Sequence, residues 1–459
     1  MRKLLLSLTL LLATTLVAVA GEYVSYYRNL PVPMEEPALP QIPDLALSLA
    51  DFGAVGDGVT DNTGAFAKAL KELEKQGGGH LVVPAGIWLT GPITLKDRMD
   101  LHLEKHAMIL LTPDRAAHLK NGKVVPGISA SKRMDVSITG EGMIDGNGEW
   151  WRGVKRGKMS DTEWNAYRRM GGTVTPRGDL WYPFNLHAFG NIADTYEAQE
   201  KMRTHLVRFT DCERILIQGV TLQNAPKFHL VPQRCREVTI DGVTVRCPWN
   251  AQNGDGIDLM QCRNALIVNN FVDVGDDGIC LKAGAGENGL QNGPCENILI
   301  ADNTVFHAHG GFVIGSEFSG GMYNIVVRNN TFSGTDTGLR FKSAPERGGK
   351  TGNIWISDIY MSDIQGEAVA FETAYADRPV GRDDAVAPES TAFLPDFRDI
   401  HIARVTCRDC RIGVRASGTR QMIHDIALED CVFFYTEEAS RIDDPGMLQL
   451  NNVRFETYR

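Results

Sequence analysis

The sequence predicts an all-β, single-domain right-handed parallel β-helix with a capping helix at its N-terminal end. Three observations predict it. Nine segments, from MDVSITGEGMIDG to HDIALEDCVFFY, share one form: a polar start, an alternating apolar strand, a turn and a second strand. Their spacing runs from roughly the low twenties to the mid forties, with the excess in loops, which is the mark of a solenoid whose coils carry insertions. One coil cannot bury its apolar face alone, whereas a stack can. Third, an amphipathic stretch bearing Ala65, Phe66, Ala69, Leu70 and Leu73 precedes the first strands, where it covers an exposed core end.

The chain has 459 residues and a net charge of −10, so a nucleic-acid partner is excluded on electrostatic grounds. Residues 1–20 read as a secretory signal: Arg2 and Lys3, an apolar run from Leu4 to Val17, then Ala18-Val19-Ala20. That run is too short to span a membrane well, so the protein is expected to be exported, to the periplasm or beyond, with no membrane span in the mature chain. Residues 21–45 are proline-rich and extended, and residues 46–459 form the β-helix domain.

Within that domain the helix takes Asp61 or Asn62 as its cap and ends at Gly77 to Gly79. Short strands follow at His80 to Val83 and Ile87 to Leu89. Two insertions, Glu149 to Ala198 and Thr373 to Pro395, interrupt the rhythm and are expected to flank a binding groove. Trp150, Trp151, Trp164, Trp181 and Tyr182 lie in the first, where packing the loop is their commonest role and stacking on a sugar the alternative. Nine cysteines include Cys212, Cys235, Cys262 and Cys295 at one place in four coils, read as small buried apolar groups. Cys407 and Cys410 lack a second ligand pair, so they do not make a zinc site.

The chemistry concentrates in NGDGIDLMQCRNALIVNNFVDVGDDGICLK. Asp255 lies in one glycine-rich bend and Asp276 and Asp277 in the next, about one coil later, bracketed by Gly275 and Gly278, which allow an irregular backbone. An isolated DDG is usually a solvated turn; three acids on one surface are the equipment of a glycosidase. One acid protonates the glycosidic oxygen while a base directs water, and crowding the acids raises one pKa so that a proton stays available. His309 follows in the next coil, in HAHGGFVIGSE, and Arg340 and Lys342 in the one after. The last two share a strand face. Two cations there fit a bound anion such as a sugar carboxylate, or balance the aspartates.

These four elements, NGD, GDD, HG and RFK, resemble the motifs of glycoside hydrolase family 28, the polygalacturonases and relatives that cut pectin. DFGAVGDGVTDNT, VPAGIWLTGPI and IDGNGEWW resemble bacterial members too. The resemblance implies a parallel β-helix, an inverting mechanism on α-linked galacturonate, and no cofactor or metal. It makes Asp276 the general acid, with Asp255 and Asp277 activating water and His309 tuning the acid. Asn253, Arg340, Lys342 and Tyr375, the last in AFETAYAD, would bind the pectic substrate. Gly254 stands where the family commonly has threonine, Phe341 where it has isoleucine, and Ala308 precedes the histidine. Competing readings are a rhamnogalacturonan or side-chain galacturonosidase, a calcium-dependent pectate-lyase-like enzyme, and a non-catalytic carbohydrate-binding β-helix.

Overall fold

A computed structural model describes residues 22–185, 195–376 and 391–458. The leader at 1–20 lies outside them. The chain winds into a parallel solenoid in which three ladders of strands run the length of the molecule. The first ladder begins at Ala46–Ser48 and passes through Arg263–Val268 and Cys295–Ala301 to Leu448–Asn451. A second ladder includes Phe271–Asp273 and Thr304–Val305. The third includes Ile257–Met260, Asp277–Lys282, Gly310–Ile314 and Leu339–Lys342, and it carries the acids.

The polar start of each repeat has a backbone cause. Asn264, Asn297, Asn324 and Asn353 hold φ of 55°, 56°, 54° and 58°. Asparagine tolerates this left-handed conformation better than most side chains. Each of the last three also donates Nδ2–H to the Oδ1 of the one before it, at 2.8–3.1 Å. A second column, Asn270, Asn303 and Asn330, turns inward between the first two ladders. There Asn303 Oδ1 accepts from the backbone N–H of Asn270 at 3.0 Å, and Asn330 Oδ1 from that of Asn303 at 2.9 Å. Side chains thus satisfy backbone groups that a buried turn would otherwise orphan.

The capping helix is Thr63–Lys75, and its buried face is Ala65, Phe66, Ala69, Leu70 and Leu73, as the spacing predicts. Of the two candidate caps, Asp61 accepts the N–H of Thr63 at 2.9 Å, whereas Asn62 pins the preceding loop by accepting from Val55 N at 2.8 Å. The proline-rich segment is draped on the body. Tyr23 and Val32 pack on Leu266, Val268, Leu299, Ala301 and Val326, and Tyr23 donates its hydroxyl to Asp241 at 2.9 Å. This explains why these first-ladder strands are apolar on both faces.

All nine thiols are free, and Cys212, Cys235, Cys262 and Cys295 are buried in consecutive coils. In the first insertion Val154–Lys155, Thr173–Val174 and Leu180–Tyr182 make a small antiparallel sheet. Beside it, helix Asp161–Arg169 is closed by a capping box at Ser160 and Glu163. Trp151, Trp164, Trp181 and Tyr182 are buried inside this lobe, so they hold it together and do not face substrate. A bridge between Val154 and Ala251 ties the lobe to the coil bearing Asp255. Of the second insertion, residues 377–390 lie outside the described part.

Candidate active site

Parallel register brings the four motifs together. Ile257 pairs with Ile279, Ile279 with Phe312, and Phe312 with Leu339, so residues 22, 33 and 27 apart in sequence lie on adjacent rungs. Next to these pairs, Gly256 N–H donates to the Asp277 carbonyl at 2.9 Å and His309 N–H to the Asp276 carbonyl at 2.8 Å. Asp255, Asp276, Asp277, His309, Lys342 and Tyr375 all line one cavity of about 500 Å³ on the outer side of the third ladder. Arg340 lies against it through Asp277.

The glycines work by close approach here. At Gly275 a Cβ would stand 2.5 Å from the Ala251 carbonyl oxygen, and at Gly254 it would stand 2.8 Å from Cys247 Sγ. Threonine therefore has no room at 254 as this coil is packed. Phe341 points inward and stacks on Phe371 with centroids 4.3 Å apart, so its exchange for isoleucine belongs to the core.

Each acid has its own partners. His309 Nδ1 lies 2.9 Å from Asp276 Oδ1, and Asp276 Oδ2 accepts the Asn253 N–H at 3.1 Å. Lys342 Nζ donates to Asp277 Oδ2 at 2.8 Å, with an Arg340 nitrogen 3.5 Å from Oδ1. Lys282 Nζ bridges Asp255 Oδ2 at 3.0 Å and the wholly buried Asp258 Oδ2 at 2.6 Å. The other oxygens, Oδ1 of Asp255 and of Asp258, are buried and find no partner among the described residues.

Four motifs in order and the three aspartates they bring into one cleft agree with a match to a family model. The model, glycosyl hydrolases family 28, matches residues 167–388, which hold all four motifs. The chain belongs to glycoside hydrolase family 28. It is 28% identical over 433 residues to an exo-poly-alpha-D-galacturonosidase of Dickeya chrysanthemi, covering 90% of this chain and 71% of that protein. An endo-polygalacturonase of Pectobacterium carotovorum is 26% identical over 363 residues, 75% and 78% of the two chains. Among solved structures, a hyperthermoactive exopolygalacturonase of Thermotoga maritima superposes with a TM-score of 0.73 at 29% identity, over 92% of this chain and 94% of that one.

In this glycoside hydrolase the electrostatics separate the acids. Burial pushes Asp255 well above the ordinary carboxylate range; Lys282 opposes this while Asp258, Asp276 and Asp277 add to it. Burial likewise lifts Asp258 to about 6 against the pull of Lys282. For Asp277 burial is outweighed by Lys342 and Arg340, and its pKa falls. For Asp276 burial is outweighed by His309, Lys342 and Lys158, and its pKa falls too. The raised carboxyl expected from crowding is thus Asp255, not Asp276.

The structure gives some of the expected residues further work. Asn253 Oδ1 accepts from Arg203 at 2.7 Å, so this side chain also fixes the bend that carries Asp255. Arg340 and Lys342 both reach Asp277, so they balance the acid as well as lining the groove. Tyr375 lies over Lys342, its ring centroid 4.9 Å from Nζ. Residues that the motifs do not mark include Asp258, Lys282, Arg203, and Lys155 and Lys158 from the inserted lobe. Strand alternation holds the signal for two of them: in GIDLM and GICLK, Asp258 and Lys282 fall at outward positions on neighbouring rungs.

Asp276, Asp277 and His309 each offer a ligand atom within 4.8 Å of the others. A divalent ion there would have to displace Lys342 from Asp277 and His309 from Asp276, where cationic or donor groups already occupy the oxygens.

Removing Lys282 should expose the cost of the two acids it serves. Their folded pKa values exceed the unfolded value of ~3.9, so the folded state binds more protons across that window. Stability is complete below it and falls as pH rises through the folded values. Without Lys282 both values climb and the window extends upward. Lys282→Met is expected to melt close to the parent at low pH and to lose about 3–5 kcal/mol once the acids must ionise. Calorimetric Tm measured at several pH values checks this; a deficit independent of pH would contradict it.

Proposed function

We propose that this enzyme hydrolyses α-linked galacturonate in pectic polysaccharide. The observation that carries the proposal is one cleft in which three carboxylates stand beside Lys342, with Tyr375 above it and Arg340 behind Asp277. The printed names of its relatives, polygalacturonases acting from chain ends or within chains, support the same reading.

The geometry supports the following division of labour. We assign one proton to the pair that Asp276, only 17% exposed, makes with His309 across the 2.9 Å contact. A sugar entering the cleft strips water and makes charge separation within that pair more costly. The proton is then driven onto the carboxyl and passes to the glycosidic oxygen as the bond to the anomeric carbon breaks. Asp277, kept ionised by Lys342 and Arg340, takes the proton of a water whose oxygen bonds to that carbon. Asp255, anchored by Lys282, orients the same water. One observation favours a reversed assignment, with Asp255 as donor: burial holds its carboxyl far up.

With water as nucleophile, an α-linked substrate should release the β-anomer first, as proton NMR of a fresh digest reads. Early α-anomer would mean a covalent intermediate on one of the acids.

Lys342→Ala and Arg340→Ala test the substrate. Both variants also relax their hold on Asp277, but that loss is common to every substrate. A lost charge-assisted contact adds roughly 1.5–3 kcal/mol, or about one to two decades in kcat/KM, on an ionised galacturonate alone. The difference between ionised and esterified substrates therefore isolates the contact. Equal losses on both would leave the cations a purely structural role and sink the galacturonate reading.

A further inference from the structure

Gly275 and Asp276 occupy the corner between strands Phe271–Asp273 and Asp277–Lys282 and belong to neither. No side chain fits at Gly275, because a Cβ would stand 2.5 Å from the Ala251 carbonyl oxygen and 2.8 Å from that of Pro248. The corner is held from outside the solenoid, by the inserted lobe. Lys158 donates its ammonium to the Gly275 carbonyl at 2.6 Å. Two further ties join the lobe to the coil before the corner: Val154 bridges Ala251, and the Tyr167 hydroxyl accepts from Asn250 Nδ2 at 3.2 Å.

Lys158 stands on a built support. It ends the turn Arg156–Lys158, set between strand Val154–Lys155 and helix Asp161–Arg169. Arg156 donates to the Met159 carbonyl at 2.7 Å and lies over the Trp164 ring, 5.8 Å from its centroid. The lysine is half-buried in a hollow of about 550 Å³ on the far side of His309. Its ammonium faces Asp276 in the corner, Asp336 in the loop before Leu339–Lys342, Cys247, and Lys155 of its own lobe, with His309 lining the same hollow. Together with His309 and Lys342, it holds the Asp276 carboxyl down against burial. The motifs supply His309 and Lys342, whereas Lys158 lies outside residues 167–388, which the family model matches.

We propose that Lys158 is a positioning residue for the hydrolysis: the inserted lobe uses it to fix the corner that bears Asp276 and to place a positive charge beside that acid. This rests on the galacturonate reading above and adds to it a residue from outside the four motifs. The hydrogen bond sets where the carboxyl points, and a small misplacement of a reacting group slows the reaction strongly. The charge sets how readily the carboxyl gives up its proton, because a nearby cation favours the ionised form.

The test reads kcat, KM and the pH profile of Lys158→Met, Lys158→Arg and Tyr167→Phe on polygalacturonate, with thermal melting to show that each variant is folded. Lys158→Met should lose about tenfold or more in kcat at little change in KM. The alkaline limb of its kcat/KM profile should move to higher pH by about 0.5–1 unit, because the pair of Asp276 and His309 loses a cation and holds its proton more tightly. Lys158→Arg keeps donor and charge and should restore most of both. Tyr167→Phe removes a tie that carries no charge and should leave the limb in place. If Lys158→Met does not fold, Lys158→Gln, which keeps a donor without the charge, is read instead and should show the same shift. Parental kcat and limb in the uncharged variant, a loss in kcat with the limb unmoved, or a rise in KM with kcat kept overturns this inference and leaves galacturonate hydrolysis standing. A parent enzyme that does not cut polygalacturonate refutes the galacturonate reading itself.

Discussion

Three carboxylates in one cleft and a fourth, Asp258, buried beside them cannot all be ionised without cations, and every part of this site follows from how those cations are delivered. Asp255 and Asp258 share Lys282, and Asp277 takes Lys342 with Arg340 behind it. Asp276 faces His309. None of these partners is near its acid in sequence except through the stacking of coils. A solenoid with parallel in-register rungs is well suited to this. It sets side chains from four turns of chain in a row at the strand spacing, and its repeated hydrogen bonding keeps them there.

The same allocation makes the acids unequal. Burial penalises every one of them, and what differs is the compensation. Asp277 has two cations and stays ionised, while Asp255 must share one lysine with a second, more deeply buried acid and keeps its carboxyl high. Asp276 faces His309 Nδ1 at 2.9 Å. The result is three acids with three different kinds of compensation, and these titrate as a group.

Much of this was legible in the sequence. Repeats with a polar start marked the solenoid, because asparagine, aspartate and glycine take most readily the left-handed turn that recurs from coil to coil. The order NGD, GDD, HG and RFK marked the groove, and strand alternation put Arg340 and Lys342 on one face. Three things were not legible, each for a physical reason. The coil lengths vary, so the partnership of Lys282 with Asp255 and Asp258 depends on a register that only the packed ladder sets. The inserted lobe reaches the groove through tertiary packing, so nothing in its sequence says that Lys155 and Lys158 hang over the acids. Finally, which acid keeps its proton depends on burial and neighbouring charge together, and motif identity carries neither.

The transferred proton resides on one of these acids or on the histidine beside it, and a change of leaving group tells which. A galacturonosyl fluoride needs little or no protonation to leave, whereas a sugar leaving group needs it fully. Measuring Asp276→Asn and Asp255→Asn on both substrates separates the donor from the groups that act on water. If Asp276 with His309 is the donor, Asp276→Asn should lose about 10²–10⁴-fold on the sugar-linked substrate and recover most of it on the fluoride. Asp255→Asn should then lose comparably on both. Recovery by Asp255→Asn in place of Asp276→Asn would contradict the assignment and make the deeply buried acid the proton donor.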